Sequence, residues 1–179
     1  MRVLVTGGAG FIGSHLVERL LARGDEVLVL DDLSTGRASN LADVRLHPRL
    51  EVVSGSVLDE ALVERLVARV EGVFHLAARV GVQLVLEQPS ATLEVNVLGT
   101  RHVLAAAAQH GVRVLFASSS EVYGRNERPP FAEDEPLLLG ATSEPRWSYA
   151  CSKAMGEWLA LARARESGLA VVIVRFFNV

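Results

Sequence analysis

The sequence predicts an α/β domain: a doubly wound parallel sheet with helices on both faces. Three observations carry that expectation. Short Val- and Leu-rich runs alternate with longer helical patterns almost throughout the 179 residues. The runs are continuously apolar, as strands covered on both faces are. A glycine-rich turn follows the first run and opens the first helix, the arrangement that right-handed β-α-β crossovers require.

In chain order, residues 2–6 form the first expected strand and residues 12–23 the first helix, with Gly24 just beyond it as a stop signal. Residues 26–30 are the second strand, and 32–48 a polar connection rich in Ser, Thr, Gly and Asn. Strands at 50–54 and 73–76 flank a helix over 58–69, with Gly72 after it. A helix over 90–109 stops at Gly111 and leads to a strand at 112–117. Residues 118–147 carry Pro129, Pro130, Pro136 and Pro145, and a connection this long in a compact domain marks function or disorder. A helix over 148–166, the stop Gly168 and a strand at 170–176 complete the pattern.

Composition sets the class. The chain is 50% hydrophobic and 22% charged, which excludes global disorder, and its length suits one domain. A net charge of −3 offers no electrostatic footprint for nucleic acid or an anionic membrane. No apolar run reaches the length of a membrane span. The single cysteine, Cys151, excludes an intrachain disulfide, and the five histidines show no metal-ligand spacing, so no metal site is expected. The expectation is a soluble, cytoplasmic, single-domain globule. Arginine occurs 17 times and lysine once, at Lys153, which makes that position conspicuous.

Thr6-Gly7-Gly8-Ala9-Gly10-Phe11-Ile12-Gly13 has the strand–turn–helix context of a dinucleotide-binding turn. Gly7 permits the tight turn, Gly10 lets backbone approach a pyrophosphate, and Gly13 allows close helix–strand packing. The helix N-terminus then offers N–H groups and a positive dipole end to the phosphates. Asp31, 18 residues past Gly13, ends the second strand where a carboxylate accepts from ribose hydroxyls, and an acid there favours NAD over NADP.

Tyr149 and Lys153 are four apart at the start of a helix and share a face. A tyrosine of ordinary pKa, about 10, is a poor base at neutral pH, and a nearby ammonium favours the phenolate. Cys151 points elsewhere and has no adjacent base. Ser118-Ser119-Ser120-Glu121-Val122-Tyr123-Gly124 follows the fifth strand, at the carboxyl end where parallel sheets bind ligands. A serine there can hydrogen-bond a reacting oxygen of a ligand, and Glu121 offers a second acid/base.

Taken together, TGGAGFIGSHL, LDDLSTG, HLAA, NVLGT, SSSEVYG, YACSK and RFFNV resemble the extended short-chain dehydrogenase/reductase family, specifically its NAD-dependent nucleotide-sugar epimerases and dehydratases. The resemblance covers essentially the whole chain and implies a Rossmann fold, residues 1–179 being an NAD-binding domain that carries the Ser/Tyr/Lys catalytic residues. It implies that Phe11 and Ile12 lie against the pyrophosphate and that Asp31, Asp32 and the loop after them hold the adenosine ribose. Ser56 and Val57 would meet the adenine, Leu76, Ala77 and Ala78 would line the cofactor channel, and Asn96 and Phe177 would lie near the nicotinamide. Ser120 and Asn178 would touch the nucleotide sugar. Ser119 is the implied catalytic serine, four before Tyr123; Tyr149 would deprotonate the sugar 4-hydroxyl, and Lys153 would bind the nicotinamide ribose and depress the tyrosine pKa.

The implied net reaction is 4-epimerisation through a transient 4-keto sugar. Glu121 keeps a UDP-glucuronate decarboxylase or a dehydratase as the alternative, with an NAD-binding fragment lacking turnover as another. Ser56 departs from the family, which usually has an Asp there. The family continues with a C-terminal substrate domain, expected to be absent from these 179 residues. Relatives dimerise through helices corresponding to residues 90–109 and 148–167, so a homodimer is expected, with Trp158, Leu159 and Ala162 on the face.

Overall fold

A computed structural model describes the chain from Met1 to Asn178 except Arg128; Val179 also lies outside it, and of Val82 only the backbone is described. Six parallel strands form one sheet: β1 (Arg2–Thr6), β2 (Glu26–Asp31), β3 (Leu50–Ser54), β4 (Gly72–His75), β5 (Arg113–Ser119) and β6 (Val171–Phe176). Their spatial order is β3-β2-β1-β4-β5-β6, so the winding direction reverses between β1 and β4.

Alternation along each strand feeds two cores. Val3 and Val5 of β1 pack with Val17, Leu20 and Leu21 of α1 (Phe11–Arg23) on one face of the sheet. Leu4 turns to the other face, where it joins Val63 and Leu66 of α2 (Glu60–Val67) and Val103 and Leu104 of α5 (Thr100–His110). Ala160 of α6 (Trp147–Ser167) belongs to this second core. Each fully buried Val or Leu contributes roughly 1.5–3 kcal/mol, so the helices are held by packing rather than by propensity. Gly24, Gly111 and Gly168 close α1, α5 and α6, as their positions in the sequence predict.

Three boundaries differ from expectation. The helix expected over 90–109 is α4 (Pro89–Leu93), one π-helical turn (Glu94–Gly99) and α5. A π turn carries an extra residue per turn, a feature that hydrophobic periodicity does not announce. A six-residue helix, α3 (Val82–Glu87), fits between Gly81 and Pro89 in what reads as connection. The helix expected over 58–69 ends at Val67 with Ala68 as its cap, and Gly72 instead opens β4. Among the described residues no helix is long and apolar enough to cross a membrane.

Candidate active site

Where the strand order reverses, the carboxyl ends of the strands diverge and leave a crevice. A cleft of about 1040 Å³ occupies it, with the turn after β1 and Asp31 on one part of its wall and Ser119, Glu121, Tyr149 and Lys153 on another. The glycine turn is packed backbone against backbone. A Cβ on Gly13 would lie 2.1 Å from the Gly7 carbonyl oxygen, and one on Gly7, at φ +73°, would lie 2.8 Å from the Ala77 nitrogen. Only glycine fits at either position. The N-terminus of α1 has no side-chain cap, so its first N–H groups stay open toward the cleft. Asp31 accepts from Ala9 N–H at 2.8 Å and Leu33 N–H at 2.9 Å, one bond to each oxygen, and each oxygen keeps a free lone pair. Arg37 N–H and the Asn40 amide both donate to the Ala9 carbonyl, and so hold the loop after β2 against the turn.

The chemical end is built by β5 and α6. Lys153 is buried and donates from Nζ to the Ala117 carbonyl at 2.8 Å. Burial pulls its pKa down from 10.5 to about 8. Nζ lies 5.9 Å from the centroid of the Tyr149 ring. The Tyr149 phenol is held above its ordinary value, chiefly by burial; its hydrogen bond with Ser119 works the other way, and the Glu121 charge raises it further. The expectation that Lys153 depresses this phenol is not met. Burial dominates, and the Lys153 ammonium is not among the groups that act on this phenol.

Behind this wall runs a buried polar chain. Ala77 N–H donates to the Thr6 hydroxyl at 3.2 Å, and Thr100 Oγ1 donates to the Asn96 carbonyl at 2.6 Å. His75 sits between the two threonines, with Nδ1 2.7 Å from Thr6 Oγ1 and Nε2 3.0 Å from Thr100 Oγ1. Because the Thr100 proton is committed, Nε2 carries the hydrogen and Nδ1 accepts from Thr6. Burial, with a smaller push from Lys153, drives the His75 pKa down to about 3, so the ring is neutral.

The sequence matches the family described as "NAD dependent epimerase/dehydratase family" over residues 3–179. The chain belongs to that family. It is 45% identical over 178 residues to the UDP-N-acetyl-alpha-D-glucosaminuronate decarboxylase of Bacillus cytotoxicus, which covers 99% of this chain and 54% of that protein. Among solved structures, a dTDP-glucose 4,6-dehydratase from Streptomyces venezuelae, crystallised with NAD, superposes with a TM-score of 0.90 at 42% identity over 98% of this chain and 55% of that one. A UDP-N-acetylglucosamine 4-epimerase from Methanobrevibacter ruminantium gives 0.89 at 33% identity over 99% and 55%. The chain therefore spans about half the length of these epimerase/dehydratase relatives.

The cofactor in the epimerase/dehydratase family's description fits the residues present. The tightly packed glycine turn presents backbone at Gly7, Gly10 and Gly13 to the cleft, the uncapped α1 N-terminus suits a pyrophosphate, and the spare lone pairs of Asp31 suit ribose hydroxyls. Of the site residues expected from sequence, Gly7, Gly10, Phe11, Ile12, Gly13, Asp31, Asp32, Val57, Leu76, Ala77, Ala78, Phe177 and Asn178 line the cleft, with the four chemical side chains. Three lie outside its lining. Ser56 accepts from Leu58 N–H in the turn before α2. Ser120 starts the 3-10 turn Ser120–Tyr123. Asn96 is buried, and its amide is used on the Arg79 backbone N–H and carbonyl and on Ser152. Sequence reading missed the Glu144–Arg146 stretch of the wall, which has no regular periodicity to mark it.

Proposed function

We propose that this chain is the NAD-binding and catalytic part of a nucleotide-sugar enzyme that oxidises the sugar at C4. The observation that carries the reading is the single cleft shared by the glycine turn, Asp31, Ser119, Tyr149 and Lys153. NAD, when bound, supplies the hydride acceptor for that oxidation. Residues 1–179 then act as one domain, in which Gly7, Gly10 and the α1 N-terminus hold the pyrophosphate and Asp31 the adenosine ribose. Tyr149 takes the proton of the sugar 4-hydroxyl. It must be phenolate to do so, and within this chain the Ser119 hydrogen bond favours that form while burial and Glu121 oppose it. Ser119 orients the sugar oxygen, and Lys153 holds positive charge beside the phenol ring.

Of the completions open to a 4-keto sugar, decarboxylation of a UDP-hexuronate is supported by Glu121 in the cleft and by the decarboxylase relative. A ketone at C4 makes the C6 carboxylate part of a β-keto acid. That acid loses CO2 and leaves its electron pair at C5, where Glu121 can return a proton. The 4-epimerase is the second reading, favoured by the likeness to a solved 4-epimerase. Incubation with NAD and either UDP-glucuronate or UDP-glucose tests both readings. CO2 and a UDP-pentose from the first support the decarboxylase, and UDP-galactose from the second supports the epimerase. Tight NAD binding with no product and no NADH absorbance refutes both and leaves a binding module.

The expected homodimer through residues 90–109 and 148–167 is kept as a proposal. Leu98, Met155, Trp158 and Leu161 are exposed on these elements, whereas Leu159 packs against the core and leaves the face. Sedimentation as a monomer at micromolar concentration refutes it.

A further inference from the structure

Helix α6 carries Tyr149, Lys153 and Glu157 at four-residue spacing, and so one above the other on a single face. The end of β5 carries Ala117, Ser118 and Ser119 in succession. Two of the three strand residues are held by helix side chains, and the third shares the cleft wall with the helix tyrosine. Lys153 donates to the Ala117 carbonyl, the Ser118 hydroxyl donates to Glu157 Oε1, and Ser119 lines the cleft with Tyr149, where it works to lower the phenol's pKa. The chemistry already described uses two of these rungs. The third, Glu157, is buried and is not part of the lining of this cleft.

Glu157 also reaches a second strand. Arg175 of β6 is the register partner of Ser118. It grips Glu157 with two bonds, Nε to Oε1 at 2.9 Å and Nη2 to Oε2 at 2.8 Å. One carboxylate oxygen thus accepts from both members of a cross-strand pair. Arg175 continues outward, stacking on the Tyr123 ring at 4.7 Å and donating from Nη1 to the Glu133 carbonyl at 3.0 Å. Immediately past the pair on each strand lie cleft residues: Ser119 on β5, and Phe176, Phe177 and Asn178 on and beyond β6. A bidentate Arg–carboxylate fork has fixed planar geometry, so it transmits register more sharply than a single neutral hydrogen bond does.

We propose that Glu157 and Arg175 are positioning residues that set the height of Ser119 and Asn178 against Tyr149. Fold integrity alone is a weaker account of the pair, because a buried ion pair exchanged for apolar side chains of similar volume is often neutral or stabilising. What apolar replacements do not restore is the shared acceptor that ties β5, β6 and α6 at one level.

Two variants test this, and the proposal rests on the oxidative reading above only for its kinetic arm. Ser118→Ala removes the β5 rung and leaves the ion pair intact. Glu157→Leu with Arg175→Met removes the pair without stranding a charge. Both are expected to fold and to bind NAD with wild-type affinity, because the glycine turn is untouched. Both should lose at least 10-fold in kcat with KM changed less than threefold. The second readout is the Tyr149 titration, followed by phenolate absorbance after subtraction of Tyr149→Phe; Tyr123 and Tyr149 are the protein's two tyrosines. Besides burial, Ser119 and Glu121 tune this phenol, and release of Ser119 should move its titration to higher pH; the Lys153 ammonium, 5.9 Å from the ring centroid, is unchanged in both variants. If the wild-type chain turns nothing over, the oxidative reading fails and the titration alone decides the positioning role. Folded variants with unchanged Tyr149 titration, and with kcat within twofold where turnover exists, overturn it.

Discussion

Acidification should destabilise this protein through one buried ring. His75 is neutral in the fold, its pKa pushed from 6.5 down to about 3 by burial between Thr6 and Thr100. A base whose folded pKa is depressed contributes stability in full above its unfolded pKa and loses it as pH falls toward the folded value. At about pH 4 the unfolded chain has bound that proton and the folded chain has not. The difference is roughly 2.5 pKa units at about 1.36 kcal/mol each, or about 3 kcal/mol. His75→Leu removes the titration and leaves the Thr6 hydroxyl proton without its acceptor, a cost of about 1–3 kcal/mol at neutral pH. Urea unfolding of both proteins across the acid range separates this ring from the carboxylates, which titrate equally in each. The wild-type advantage should shrink by about 3 kcal/mol between neutral pH and about pH 4, enough to erase it. A gap that stays constant over that range would refute a buried neutral imidazole in the Thr6–Thr100 pair.

Gly13→Ala drives a Cβ into the Gly7 carbonyl, so NAD titration calorimetry should show affinity lost by more than 10-fold along with a lowered melting temperature. Asp31→Ala removes the acceptor of Ala9 and Leu33 N–H; it should weaken NAD binding while leaving NADP binding less affected, as a direct comparison of the two dissociation constants would reveal. Tyr149→Phe should cost about 100-fold or more in turnover with an unchanged circular dichroism spectrum. In the wild type, turnover should rise with pH as the phenol begins to ionise and level off above about 8, where loss of the Lys153 proton offsets further ionisation; Lys153→Arg, charged throughout, should keep rising past that point.

Periodicity and punctuation in the amino-acid sequence determine the strand–helix alternation, the glycine turn with Asp31, and the Tyr149–Lys153 spacing on one helix face. These are local features: buried strands need continuous apolar runs, and a turn that brings backbone within contact of backbone tolerates only glycine. Tertiary structure alone decided which polar residues meet. Ser118, Glu157 and Arg175 are separated by 39 and 18 positions and share one carboxylate, and His75 bridges threonines 69 and 25 residues away. Asn96, within a π turn that no apolar spacing encodes, likewise has its amide on Arg79 and Ser152 rather than in the cleft lining. The direction in which the Tyr149 pKa moves belongs to the same class. Residue spacing names the neighbours, but the desolvation that outweighs them exists only once the chain has packed around the phenol.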